Sequence, residues 1–193
     1  MKFSRAQVTD FVILSLRWYL AFYMIDYGWA KLTGEQFGVF NSTIASKPMN
    51  QVGKFYVAWY LFGLDKSFDI LTGLTQIIGG MLIVYNRTLL IGTMVLLPVL
   101  AQIFIIDLAY TTDQFGYSLP LRLAGMLTCD LLIIIYYKEK VIKVWQTLTN
   151  FTTTRFSYKW WVFLLMPVVG FLMDFIIAIF LTPIKLLLNW LMY

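Results

Sequence analysis

Five apolar stretches of membrane-crossing length, separated by short polar breaks, set the pattern of this chain. They run from about Phe11 to Lys31, Phe68 to Tyr85, Leu89 to Tyr110, Pro120 to Tyr137 and Trp160 to Leu181. A helix rises ~1.5 Å per residue and a hydrocarbon core is ~30 Å thick, so each stretch predicts a transmembrane α-helix. Only a tight polar turn at Asn86 and Arg87 separates the second span from the third, which makes them antiparallel neighbours. Pro98 removes one backbone donor inside the third span and predicts a bend that neighbouring helices can accommodate. Pro120 suits the first turn of the fourth. Pro167 interrupts the fifth and Pro183 closes it, so this segment either crosses fully or folds back. The predicted fold is an all-α membrane protein. Residues 1–145 form a four-helix transmembrane bundle, and residues 146–193 carry a fifth, C-terminal transmembrane or re-entrant helix.

The connection across 32–66 is too long for a plain turn and too aromatic for disorder. After Pro48, residues Val52, Phe55, Tyr56, Trp59 and Phe62 recur at helical spacing and predict an interfacial amphipathic helix. Such a helix either anchors the loop among interfacial aromatics or forms a lid over the mouth of the bundle. The first span does not read as a cleavable signal, because it is rich in Trp and Tyr and holds Arg17 and Asp26.

Composition agrees with a lipid solvent: 60% of the 193 residues are hydrophobic and 13% charged, with a mean hydropathy of +0.75. The net charge of +5 could suggest nucleic acid, but the cations lie in short segments flanking the apolar spans. Orientation and anionic lipid account for them there, and no basic face with exposed aromatics suggests nucleic acid as a partner. Lys2, Arg5, Arg87, Lys138, Lys140, Lys143, Arg155 and Lys159 fall on one side of the membrane; Lys31, Lys47, Lys54, Lys66 and Lys185 fall on the other. The positive-inside rule then puts the N-terminus and residues 138–159 in the cytoplasm and loop 32–66 outside.

Histidine is absent and Cys129 is the single cysteine. Internal disulfides, Cys-x-x-Cys redox chemistry, histidine-held haem or zinc, and Ser-His or Cys-His nucleophile pairs are therefore excluded. No catalytic residue and no metal site is expected, and Cys129 reads as a small buried apolar residue.

Polar residues within the spans carry the remaining chemistry: Arg17, Asp26, Gln76, Gln102, Asp107, Arg122, Asp130 and Asp174. A charge at mid-membrane costs about 2.5–3.5 kcal/mol on insertion scales, so each should face inward and find a partner. Counting residues along each span puts Arg17 and Asp130 at a shared depth of roughly 10 Å, which predicts a pair between the first and fourth helices. Near the other face Asp26, Lys31, Asp107 and Arg122 share a depth and predict a mixed-charge network. On the first helix Arg17, Ala21, Met24, Gly28 and Lys31 line one face, while Asp26 points elsewhere; on the second, Asp69, Gly73, Gln76 and Gly80 form a similar face. Arg17, Gln76 and Asp130 are the candidate ligand-lining residues. At every one of these positions structural pairing and a ligand or proton site both remain open.

The run from Arg17 to Lys31, with Asp26, Tyr27 and Gly28 inside it and Gln36 and Phe37 after it, resembles the opening of the DoxX-like family of small bacterial membrane proteins. Trp59 and Gly63 precede the second span as they do in that family. Gly73-x-x-Gln76-x-x-Gly79 resembles its Gly-x-x-Glu-x-x-Gly stretch, Arg87-Thr88 its Arg-Thr turn, and Tyr117, Ser118, Pro120 and Arg122 its entry to the fourth helix. The resemblance covers about residues 11–145. Gln76 stands where the family usually has Glu, and Ser118 where it has Asp, so a role needing a titrating acid at either place is not carried over. The resemblance implies a four-helix bundle in the bacterial inner membrane. It also implies association, in some members, with quinone-linked or oxidant-defence assemblies.

The leading functional expectation is a non-catalytic inner-membrane subunit or accessory partner of a larger complex, possible roles including electron transfer. Its partners would be lipid and either other membrane proteins or further copies of itself. The alternatives are a quinone or lipid site between Arg17, Gln76 and Asp130, and a proton or solute pathway through the two charge layers.

Overall fold

The structure is a computed structural model and describes residues 4–37, 44, 46–150 and 156–192. Among these residues there is no strand. The helices are α1 (Arg5–Leu32), α2 (Lys54–Phe62), α3 (Lys66–Val84), α4 (Leu89–Tyr110), the short α5 (Thr112–Phe115), α6 (Ser118–Tyr136), α7 (Lys138–Thr149) and α8 (Trp160–Met192). Of these α1, α3, α4, α6 and α8 are long and apolar enough to cross a membrane. The chain is an integral, multi-pass membrane protein.

Local chemistry sets the helix ends. Ser4 and Gln7 form a capping box at the start of α1: the Gln7 N–H donates to Ser4 Oγ (3.3 Å) and the Ser4 N–H donates to Gln7 Oε1 (2.9 Å). Asp65 begins α3 by accepting the Ser67 N–H at 2.8 Å. Pro120 is the third residue of α6, behind Ser118 and Leu119, rather than its first. Its missing N–H still falls in the first turn, where no intrahelical acceptor exists.

The chain divides into two compact units, Met1–Trp145 and Gln146–Tyr193. In the first, α1 packs against α3 and α6, and α4 packs against the same two, giving a closed ring in the order α1, α3, α4, α6. Arg17 of α1 meets the end of α3 while Gly28, further along α1, meets the earlier Gly73 and Ile77, so these two helices are antiparallel. We call the end carrying the start of α1 proximal and the end carrying α2 distal.

Helix α1 approaches α3 through backbone. A Cβ on Gly28 would stand 2.5 Å from the Gly73 carbonyl oxygen, and one on Gly73 would stand 2.8 Å from the Gly28 oxygen. This is the small-residue packing that lipid-embedded helices use, and all five residues expected on that face of α1 are buried. Leu20, Met24, Ile83, Leu96, Leu100, Met126 and Ile133 fill the bundle with no exposed surface, while Phe11, Phe22 and Leu71 point outward. Pro98 leaves α4 continuous.

In the second unit, α8 is one helix of 33 residues with Pro167 and Pro183 inside it. The helix does not fold back at Pro167, and it is long and apolar enough to cross a membrane. Each proline removes a single backbone bond, and an otherwise apolar helix keeps its remaining ladder.

Candidate functional site

The distal end of the bundle holds a cavity of about 190 Å³. Its roof is α2, held down by rings. Phe55 lies 4.4 Å from Trp59 and 5.1 Å from Phe115, Phe37 lies 5.8 Å from Trp59, and Phe62 stacks on Phe68 at 5.3 Å. Offset and edge-on ring pairs of this kind are favourable beyond their area. A helix forms from Lys54 to Phe62, within the loop where one is expected, and its Phe55, Ala58 and Trp59 are buried.

Polar groups enter this apolar chamber from three directions. Lys31, in the last turn of α1, is only 5% exposed, and its ammonium donates to Gln36 Oε1 at 2.7 Å and lies 5.5 Å from the centre of the Phe37 ring. Asp107 stands buried near the end of α4, and Gln102 lies about a turn before it; both line the cavity. Thr72 and Thr75 of α3 complete the wall, with Leu71 at the lipid-facing rim. Among the described residues no ion pair joins Lys31 to a carboxylate; Lys54 with Asp113, at 3.1 Å on the surface, makes the pair seen there. Asp69, on the expected face of α3, is buried at the same end with Oδ1 unpartnered among the described residues.

A second recess of about 370 Å³ shares Lys31, Gln36, Trp59, Ile103 and Asp107 with the first, and adds Asp26 and Arg122. The four residues expected to form a distal network thus meet around one recess, but not as that network. Asp26 is exposed and makes no ion pair with Arg122. The Arg122 guanidinium sits instead over the rings of Tyr23 (4.5 Å) and Tyr27 (5.5 Å). Those tyrosines are four apart on one face of α1, whereas Asp26 is rotated about 100° from Tyr27.

At the proximal end, the expected pair of Arg17 and Asp130 is absent. Arg17 is 4% exposed. Its Nε donates to the Ile83 carbonyl at 3.1 Å, and its Nη2 donates at 2.7 Å to both the Val84 carbonyl and Asn86 Oδ1. The last carbonyls of a helix have no intrahelical donor and carry partial negative charge, so α3 offers Arg17 a nearer set of acceptors than α6 does. Asp130 and Gln76 are fully buried, and neither the Asp130 carboxylate nor the Gln76 amide has a hydrogen-bond partner among the described residues. The trio Arg17, Gln76 and Asp130 does not line one site: Arg17 lines a proximal recess, while the other two sit in the core. Cys129 is half-buried rather than buried.

Nothing in the sequence places Gln36, Phe37, Phe62 and Phe68 around a ligand-sized space. The aromatic spacing after Pro48 was the available signal, and it gave a helix without saying what the helix covers.

Comparisons with known proteins add little to this geometry. No protein-family profile matches the chain, and no solved structure matches it. An uncharacterized protein of Bacillus subtilis (strain 168), YwoB, is 28% identical over 107 residues, which is 55% of this chain and 67% of that protein.

Proposed function

We propose that this chain is a non-catalytic membrane protein that holds a small amphipathic molecule, such as a quinone or lipid headgroup, in the distal cavity beneath α2. One observation carries the reading: an aromatic chamber that contains a buried lysine ammonium with no carboxylate within ion-pair distance among the described residues, beside Gln36, Gln102 and Asp107. Binding sites are mostly apolar with a few convergent polar groups, and this chamber has that composition. Its volume suits a ring-sized headgroup, whose tail would leave past Leu71 into lipid. Lys31 would donate to a carbonyl or phosphate oxygen. The resemblance to DoxX-like proteins supports the same region, since Lys31, Gln36, Phe37 and Trp59 contribute to both.

The test is Trp fluorescence in detergent with a short-chain ubiquinone analogue. Saturable quenching should appear in the wild type, vanish in Trp59→Phe, and weaken about tenfold in Lys31→Met, in line with a charge-assisted hydrogen bond of ~1.5 kcal/mol. Equal saturable quenching in all three proteins would overturn the assignment.

A second reading, an accessory subunit of a larger complex, is favoured by Asp174. This carboxylate sits well inside the apolar α8, more than two turns from Lys185 and from Lys159. A donor on a partner helix would offset its cost of ~2.5 kcal/mol or more. Stoichiometric co-purification of a second membrane protein, lost in Asp174→Leu, would support it; the bacterial inner membrane with a cytoplasmic N-terminus is the proposed location.

A further inference from the structure

We propose that the proximal recess binds phosphate, as the headgroup of an anionic phospholipid or as a free phosphate ion. The recess measures about 700 Å³ and lies at the opposite end of the bundle from the distal cavity. Three cations from different elements surround it: Arg17 from α1, Arg87 from the turn between α3 and α4, and Lys140 from the start of α7. Asp10 is the carboxylate on the wall, where it accepts the Tyr136 hydroxyl at 3.3 Å. None of the three cations is ion-paired among the described residues. Gathered around one recess at a membrane surface, they leave net positive charge that an anion would neutralise.

The geometry of Arg17 makes the ligand class specific. Its Nε and Nη2 are fixed by the last carbonyls of α3 and by Asn86, so the guanidinium plane is locked before any ligand arrives. Nη1 has no acceptor among the described residues, which leaves its two hydrogens for a ligand. The two Nη1 hydrogens, held in a fixed plane, suit the directional oxygens of phosphate better than a solvated halide. Lys140 is steadied at the rim, its Nζ 5.3 Å from the centre of the Tyr137 ring. Leu14, Leu89 and Leu90 give the same recess an apolar wall, as the first carbons of an acyl chain require. A bare phosphate would leave that wall unused, so the lipid is the favoured source.

Native mass spectrometry of the intact chain in mild detergent tests this, with phosphatidylglycerol, phosphatidylcholine and inorganic phosphate titrated separately. Phosphatidylglycerol should bind with at least about tenfold preference over phosphatidylcholine. Arg87→Gln with Lys140→Gln, both at exposed positions, should weaken it about thirtyfold, and Arg87→Gln alone about fivefold. Should the double variant not fold, the single variant carries the test. Saturable binding of inorganic phosphate with the same sensitivity, and no preference for phosphatidylglycerol, would assign the site to the free ion. Phosphatidylglycerol binding unchanged in these variants, together with no saturable phosphate binding, would overturn the proposal.

Discussion

Arg17 donates two hydrogen bonds to the last carbonyls of α3 and a third to Asn86 in the turn beyond it, and so holds that end against α1. Arg17→Met should lower unfolding stability in detergent by about 3 kcal/mol, because bonds from a charged donor are worth ~1.5–3 kcal/mol and buried carbonyls would be left bare. Arg17→Lys should restore less than half of that loss, since an ammonium cannot reproduce the planar fork. Asp130 should behave in the opposite sense. Its carboxyl is fully buried with no partner among the described residues, so Asp130→Leu should raise stability by roughly 1–3 kcal/mol. With no hydrogen bond or ion pair between the two side chains among the described residues, the double variant should be additive to within ~0.5 kcal/mol. Thermal unfolding of the wild type and the four variants checks all of this, and a coupling above 1 kcal/mol would restore a direct pair. The sequence marked both residues as costly but not their partners. Counting along a span gives depth, whereas pairing depends on azimuth and on which helices touch. Two of the three acceptors Arg17 uses are backbone carbonyls, which carry no residue-type signature.

Among the elements, α1 and α3 meet so closely that side chains are excluded at Gly28 and Gly73. Gly73→Val has to push the helices apart, and a destabilisation of at least ~3 kcal/mol is expected from overpacking in this seam. The small-residue face of α1 was legible because Gly, Ala and buried charge recur there at helical spacing. Helix α2 was legible for the same reason, through its aromatic period. Its seat was not, because Phe37, Phe68 and Phe115 come from three separate segments. Trp59→Ala should cost about 3–5 kcal/mol and expose the backbone of Lys54–Phe62 to hydrogen exchange. Lys54→Ala should change stability by less than ~1 kcal/mol, since its pair with Asp113 is half in solvent. Equal exchange in both variants would mean that rings do not hold α2 down.

For the whole molecule, the spans were legible because lipid, unlike water, lets a helix be apolar on every side. The end of α8 was not, because a proline reads as a stop where water can take over the freed carbonyl. The proposed direction of insertion rests on loop charge. In a Cys129→Ser background, a cysteine at Asn50 should react with an impermeant thiol reagent in intact cells, and one at Thr147 should not. Reversal of that pattern would turn the molecule over in the membrane.

The bond from Arg17 to the Ile83 carbonyl spans 66 residues of sequence, and this separates the two groups in time as well as space. While the chain is being made, α1 emerges long before its acceptors exist. A lone guanidinium in hydrocarbon costs about 2.5–3.5 kcal/mol, so α1 has reason to wait beside the insertion machinery until α3 arrives. Nascent chains stalled near Gly63 should still crosslink to the insertase through α1. Chains stalled well past Thr88 should not, because the two helices would by then have left for the bilayer as a hairpin.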